Sequence, residues 1–303
     1  MAGAFVSQMR TALSADGRRV TFESWGDGHG RPVMLMHGTP GSRLGPRPRA
    51  SQLYRQGIHL IAFDRPGYGG SDPLPGRRVA SAAADAAAVA DELGIDRFAV
   101  VGRSGGGPHA LAVAALLPER TTRAAVLVGL APFGADGLDW FAGMSLDNVR
   151  EYTAASHSAA RLSERLVPHA ESIRADPRLL LAHLDPDMPE SDRQVVTNTN
   201  IRAMLLLNYL EALRESPAGW IDDALALCAP WGFDPADISV PVLLWHGEQD
   251  VFVPADHTRW LADRIPGARA VVHPAAAHFG ALPILPDILS WLAAPEVLSP
   301  EPA

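Results

Sequence analysis

The chain of 303 residues is 47% hydrophobic and 20% charged, an ordinary balance for one large α/β domain with a substantial core. Its formal charge of −8 excludes the basic footprint that nucleic acid or an anionic membrane requires. The single cysteine, Cys228, excludes an intramolecular disulfide and a thiolate metal cluster, and no metal-ligand spacing such as H-E-x-x-H occurs among the 11 histidines.

A lone thiol fits a reducing compartment. The opening run MAGAFVSQMR has no basic region followed by a long apolar stretch, and no run approaches 18 uninterrupted apolar residues. The expectation is a soluble, cytoplasmic protein without secretory signal or membrane span.

In chain order, residues 18–25 read as a strand leaving a hairpin turn at Asp16-Gly17, and 33–36 and 60–63 as buried strands. The alanine-rich segment 78–94 is a helix closed by Gly94. Strand 98–101, helix 108–117 and strand 124–128 follow, then strands 242–246 and 270–273 and a helix over 281–293. The tail after 294, rich in Pro, Glu and Ala, is expected to fray. Alternating strands and helices imply a mostly parallel sheet covered on both faces.

Between about Pro132 and Pro235 strand-like runs disappear, and helices over 147–166, 191–215 and 219–228 are expected instead. An excursion of this length between two strands reads as a lid over the carboxyl ends of the sheet, where open α/β sheets bind ligands. Within it Trp140, Phe141, Tyr152, Met204, Tyr209, Trp220 and Trp231 either line a pocket or pack the helices.

The most informative run is Ala99-Val100-Val101-Gly102-Arg103-Ser104-Gly105-Gly106-Gly107, an apolar strand ending in a G-x-S-x-G turn. Serine there occupies a strained strand-to-helix elbow with its hydroxyl held above the sheet. Gly102, Gly105 and Gly106 leave room for the tight turn, and the following helix offers free N–H groups to developing negative charge. No lysine follows, as a P-loop demands, and G-x-x-G-G-G is not a dinucleotide fingerprint.

Taken with His37-Gly38-Thr39-Pro40-Gly41, Phe63-Asp64-Arg65-Pro66-Gly67-Tyr68-Gly69-Gly70-Ser71, His246-Gly247-Glu248-Gln249-Asp250 and His278-Phe279, the elbow resembles the α/β-hydrolase fold superfamily over roughly residues 18–131 and 236–293. The resemblance implies an α/β fold with a mostly parallel, doubly wound sheet and an inserted helical lid. The core would span 1–131 and 236–303, and the lid 132–235.

It also implies a Ser104–His278–Asp250 triad, in the superfamily's chain order. The serine needs a base to accept its proton, and the histidine needs an acceptor to fix its tautomer. His273 competes with His278, and Glu248 with Asp250. The oxyanion donors would be the backbone N–H groups of Thr39 and Gly105. Pro40 has no N–H and only shapes the turn, and His37 orders the Gly38-Thr39 loop.

Arg103 departs from the commoner His, Asn, Trp or Leu. It is expected to pair with a nearby carboxylate, the alternative being an acidic substrate group. Asp64 and Arg65 are expected to form local ion pairs.

Haloalkane dehalogenases and epoxide hydrolases use aspartate where this chain has Ser104, and proline iminopeptidases carry H-G-G-P-G where it has His37-Gly38-Thr39-Pro40-Gly41. The implied activity is therefore serine hydrolysis of an ester, thioester, lactone or amide of a small, largely apolar molecule, with neither cofactor nor metal. A carbon–carbon bond hydrolase or lyase and a non-catalytic ligand receptor are the alternatives. Substrate identity and oligomeric state are not legible.

Overall fold

The computed structural model describes residues 9–295. Residues 1–8 of the opening run, and the expected frayed tail from 296 onward, lie outside the described residues. The strands β1 (Arg10–Leu13), β2 (Arg19–Gly26), β3 (Arg31–Met36), β4 (Ile58–Phe63), β5 (Phe98–Arg103), β6 (Thr121–Leu127), β7 (Val242–Gly247) and β8 (Arg269–His273) form one sheet in the order β1-β2-β4-β3-β5-β6-β7-β8. β2 runs antiparallel to both neighbours, and the other pairs are parallel.

The central strands are largely apolar because both faces are covered. Along β3, Met34 and Met36 enter one core cluster while Val33 and Leu35 enter the other, as the two-residue period of a strand demands. Helices α1 (Ala50–Arg55) and α11 (Leu285–Leu292) pack on one face; α2 (Ala82–Leu93), α3 (Gly106–Leu116) and α10 (Asp256–Arg264) cover the other. Neither α1 nor α10 is evident as a helix in the sequence. Gly94 closes α2 in the left-handed conformation (φ 66°).

Met36 of β3 sits beside Gly102 of β5. From this point the chain winds outward in opposite senses, β3 toward β4 and β5 toward β6. Such a reversal opens a crevice at the strand ends, and the loop 37–41 and the Ser104 elbow flank it.

Between β6 and β7 the described chain forms six α-helices: α4 (Leu146–His157), α5 (Ala159–Ala175), α6 (Arg178–Leu184), α7 (Glu190–Val196), α8 (Thr199–Ala212) and α9 (Ala218–Cys228). Two helices expected as continuous are broken by capping residues. Ser158 turns to extended backbone and accepts from the Arg161 N–H; Asn198 accepts from the N–H groups of Asn200 and Ile201. These side chains satisfy donors that a new helix start leaves free, so each favours a break over continuation. The insertion has its own apolar cluster, which also takes in Tyr68, Phe252 and Phe279 from the sheet side.

Candidate active site

Ser104 follows β5 directly and has φ 54°, a region costly for a residue with a Cβ. Its N–H donates to Leu127 O (2.9 Å), and its carbonyl accepts from Gly107 N–H (2.8 Å). The bend is possible because Gly102 has no side chain; a Cβ there would overlap the Gly106 carbonyl.

His278 lies in the loop after β8 and Asp250 in the turn after β7. His278 Nδ1 donates to Asp250 Oδ2 at 2.8 Å, and both residues are buried. Asp250 Oδ1 accepts from the N–H groups of Phe252 (2.8 Å) and Val253 (2.9 Å). His246 Nε2 lies 3.2 Å from Asp250 Oδ2 while donating to Val253 O. Burial pushes the Asp250 carboxyl up, but His278 and His246 outweigh it and hold it well below the usual carboxylate range. The Asp250 bond fixes the tautomer that leaves His278 Nε2 as the basic nitrogen.

The competing residues lie elsewhere. Glu248 is exposed and pairs with Arg259 at 2.5 Å, and His273 is exposed at the end of β8.

Thr39 and Gly105 abut across the crevice. A Cβ on Gly105 would lie 3.4 Å from Thr39 N and would overlap the Thr39 side chain. Neither N–H donates to an acceptor among the described residues. His37 Nδ1 donates to Gly38 O (2.8 Å), and its Nε2 accepts from Arg65 N–H (3.1 Å). Gly106 packs against the Met36 and His37 carbonyls, which keeps the start of α3 close to this loop.

Beneath the loop lies a network that the sequence did not disclose. Asp223, fully buried on α9, accepts from Arg65 Nη2 (2.5 Å), Arg77 Nη1 (2.5 Å), Tyr68 Oη (2.9 Å) and Thr39 Oγ1 (2.7 Å). Burial pushes its carboxyl up, and the two guanidiniums outweigh that and hold it well below the usual range. Arg65 also donates to the carbonyls of His37 and Gly38. His109 on α3 sends Nδ1 to Gly105 O (2.7 Å). Burial, then Arg65, lowers the His109 imidazole to about 3.

The ion pairs expected of Asp64 and Arg65 form with partners distant in sequence rather than local ones. Arg65 goes to Asp223, and Asp64 accepts from Arg43 at 2.6 Å. Asp192 on α7, likewise unforeseen, accepts from the backbone N–H groups of His278 (3.2 Å) and Phe279 (2.7 Å).

Ser104, His278 and Thr39 line one cavity. Its other walls come largely from the insertion. Of the insertion's aromatic and Met residues, Tyr152, Tyr209 and Trp220 line this cavity. Trp140, Phe141 and Trp231 pack in the core, and Met204 borders a separate surface groove.

Arg103 lines the cavity beside Ser104 but lacks its expected carboxylate. No ion pair or hydrogen bond reaches its guanidinium among the described residues, and Nη1 is sealed from solvent. The nearby carboxylates of Asp192 and Asp250 are already engaged by backbone N–H groups and His278.

Among the described residues no helix is long and apolar enough to cross a membrane, and no group of three or more His, Cys, Asp or Glu gathers as metal ligands would.

Comparison with known proteins agrees with this architecture. A proline iminopeptidase of Xylella fastidiosa is 36% identical over 132 residues, covering 42% of this chain and 41% of the relative. A 2-hydroxy-6-oxononadienedioate/2-hydroxy-6-oxononatrienedioate hydrolase of Cupriavidus pinatubonensis is 26% identical, covering 82% of this chain and 80% of its own. The structure of a thermophilic esterase from Thermogutta terrifontis superposes with a TM-score of 0.66 at 23% identity, covering 94% of this chain and 98% of the esterase. The family model for the alpha/beta hydrolase fold matches residues 31–283. With that match spanning most of its length, the chain belongs to the alpha/beta hydrolase fold family.

Proposed function

We propose that this protein is a serine hydrolase that cleaves an ester, thioester, lactone or amide bond of a small, largely apolar molecule. The observation that carries the reading is the 2.8 Å bond from His278 Nδ1 to the buried Asp250 carboxylate, with His278 and Ser104 lining the same cavity. Residues 132–235 act as a lid that supplies most of the substrate's surroundings.

In this mechanism Ser104 Oγ attacks the acyl carbon as His278 Nε2 takes its proton. The carbonyl oxygen becomes an oxyanion and accepts from the N–H groups of Thr39 and Gly105. The tetrahedral intermediate collapses, and the leaving alcohol, thiol or amine departs with the proton from His278. Water then gives a proton to His278 and attacks the acyl-enzyme. A second collapse returns that proton to Ser104 and releases the acid.

Relatives named as a peptidase, a hydrolase and an esterase support hydrolysis as the reaction class. A fluorophosphonate probe is expected to label the wild-type protein and fail on Ser104→Ala, and a panel of nitrophenyl esters is expected to be turned over. Labelling that persists in Ser104→Ala, or hydrolysis that survives His278→Ala, would overturn the assignment. Turnover of a diketone with no ester hydrolysed would replace it with carbon–carbon cleavage.

A further inference from the structure

Guanidinium stays protonated at any accessible pH, so a buried arginine must find a counter-charge rather than neutralise itself. Three buried arginines here do so. Arg43 pairs with Asp64 (2.6 Å), Glu211 (2.5 Å) and Glu23 (3.0 Å), and Arg65 and Arg77 share Asp223. Arg103 differs. Its guanidinium carbon stands 5.7 Å from the centroid of the Phe279 ring, and no described carboxylate pairs with it. Arg103 is only partly buried and feels Asp192 and Asp250 at longer range, but it pairs with neither, which leaves room for a direct counter-charge from a ligand.

Arg103 borders the cavity that Ser104 lines and also a second pocket bounded by Gly38, Gly45 and Leu282. Arg103 precedes Ser104 in the chain and follows it along the cavity wall, and Phe279 follows His278. Tyr209 of the insertion lines the same cavity, and its hydroxyl makes no hydrogen bond among the described residues. Burial pushes that hydroxyl up and Arg103 partly offsets the effect, so the two groups feel each other. Arg103 and Tyr209 therefore border one space beside the nucleophile, with donor groups that no described residue engages.

We propose that Arg103, assisted by the Tyr209 hydroxyl, is the anion-recognition subsite of this cavity, and that the substrate is an acyl compound carrying a carboxylate a few bonds from the scissile carbonyl. The proposal rests on the serine-hydrolase reading. A carboxylate fits better than a phosphate. One guanidinium neutralises a single negative charge while the phenol donates to it, and the rest of the polar lining includes Asp147 alongside His169 and His183. The planar fork of arginine also matches a carboxylate's two oxygens. The apolar remainder of the substrate would lie against Leu180, Leu184, Trp220 and Phe252.

The test compares 4-nitrophenyl hydrogen glutarate with its neutral methyl ester, 4-nitrophenyl methyl glutarate. The wild-type protein is expected to favour the charged ester by about 10- to 100-fold in kcat/KM, the range of a charge-assisted hydrogen bond, with most of the difference in KM. Arg103→Met is expected to bring the ratio of charged to neutral turnover toward one, and Arg103→Lys to retain part of it. Glutarate itself is expected to bind the wild-type protein in calorimetry and to slow fluorophosphonate labelling. Equal turnover of the two esters by the wild-type protein, or an unchanged ratio in Arg103→Met, would overturn the proposal. Should the variants fail to fold, the wild-type ratio and glutarate binding decide the matter alone. If neither ester is turned over and no label attaches, the hydrolase reading fails, whereas glutarate binding still reports on Arg103 separately.

Discussion

Thr39 Oγ1 donates a 2.7 Å hydrogen bond to Asp223 Oδ2 across 184 residues of sequence, tying the loop that flanks Ser104 to helix α9 of the insertion. The insertion is thereby fastened to the loop proposed to hold the oxyanion. Arg65 closes the same link from the other side, donating to Asp223 and to the His37 and Gly38 carbonyls. Asp223→Ala would leave Arg65 and Arg77, whose side chains are each 1% exposed, without their counter-charge. The expected cost is about 3–5 kcal/mol, read by urea unfolding. In the milder Asp223→Asn variant, kcat for ester hydrolysis is expected to fall more than KM rises. Equal stability of wild type and Asp223→Ala would show that the network does not hold the fold.

Asp250→Asn separates the role of the charge from that of the turn. Asparagine keeps an oxygen to accept from Phe252 and Val253 N–H, as Asp250 Oδ1 does. Its amide, however, would face His278 Nδ1 with a donor and favour the tautomer protonated at Nε2, which cannot accept the Ser104 proton. A loss of about 10⁴-fold in kcat is expected with far-UV circular dichroism unchanged. Retained turnover would mean that another acceptor sets the tautomer.

The residues legible in the sequence are those whose chemistry constrains the backbone next to them. Ser104 is announced by glycines that a tight elbow requires, and Asp250 and His278 by their order after successive strands. Asp223, Asp192 and His109 carry no such mark, because their partners come from remote segments that only the fold assembles. A weaker sign does exist for Asp223. It shares the buried stripe of α9 with Trp220, Ala224 and Leu227, and a carboxylate on an apolar stripe needs a partner. The breaks within the insertion were obscured for another reason. Ser158 and Asn198 sit inside long helical patterns, and capping competes with helix continuation by a margin that periodicity does not register.

Gly105→Ala probes the space between the two proposed oxyanion donors. The added methyl would overlap the Thr39 side chain and push the loop away from the start of α3. Displacing one donor is expected to lower kcat by about 10²- to 10³-fold. Labelling of Ser104 by fluorophosphonate should slow in parallel, since it passes through a similar charged geometry. Normal turnover in this variant would place the oxyanion elsewhere.

Glu151, on α4 at the insertion's side of the cavity, makes stability depend on pH. It is 7% exposed and accepts from Trp220 Nε1 at 2.9 Å. Burial, against the pull of that hydrogen bond, raises its carboxyl from 4.5 to about 7. Below pH 4.5 the folded and unfolded chains both hold the proton, so the group contributes no difference. As pH rises from there to about 7, the folded chain retains a proton that the unfolded chain has released, and stability falls. Above that window the cost is on the order of 3 kcal/mol. Glu151→Gln keeps an acceptor for Trp220 and has no proton to lose. Its stability relative to wild type, from urea unfolding, is therefore expected to be greater at pH 8 than at pH 4.5. The same difference at both pH values would show that Glu151 is not held protonated by its surroundings.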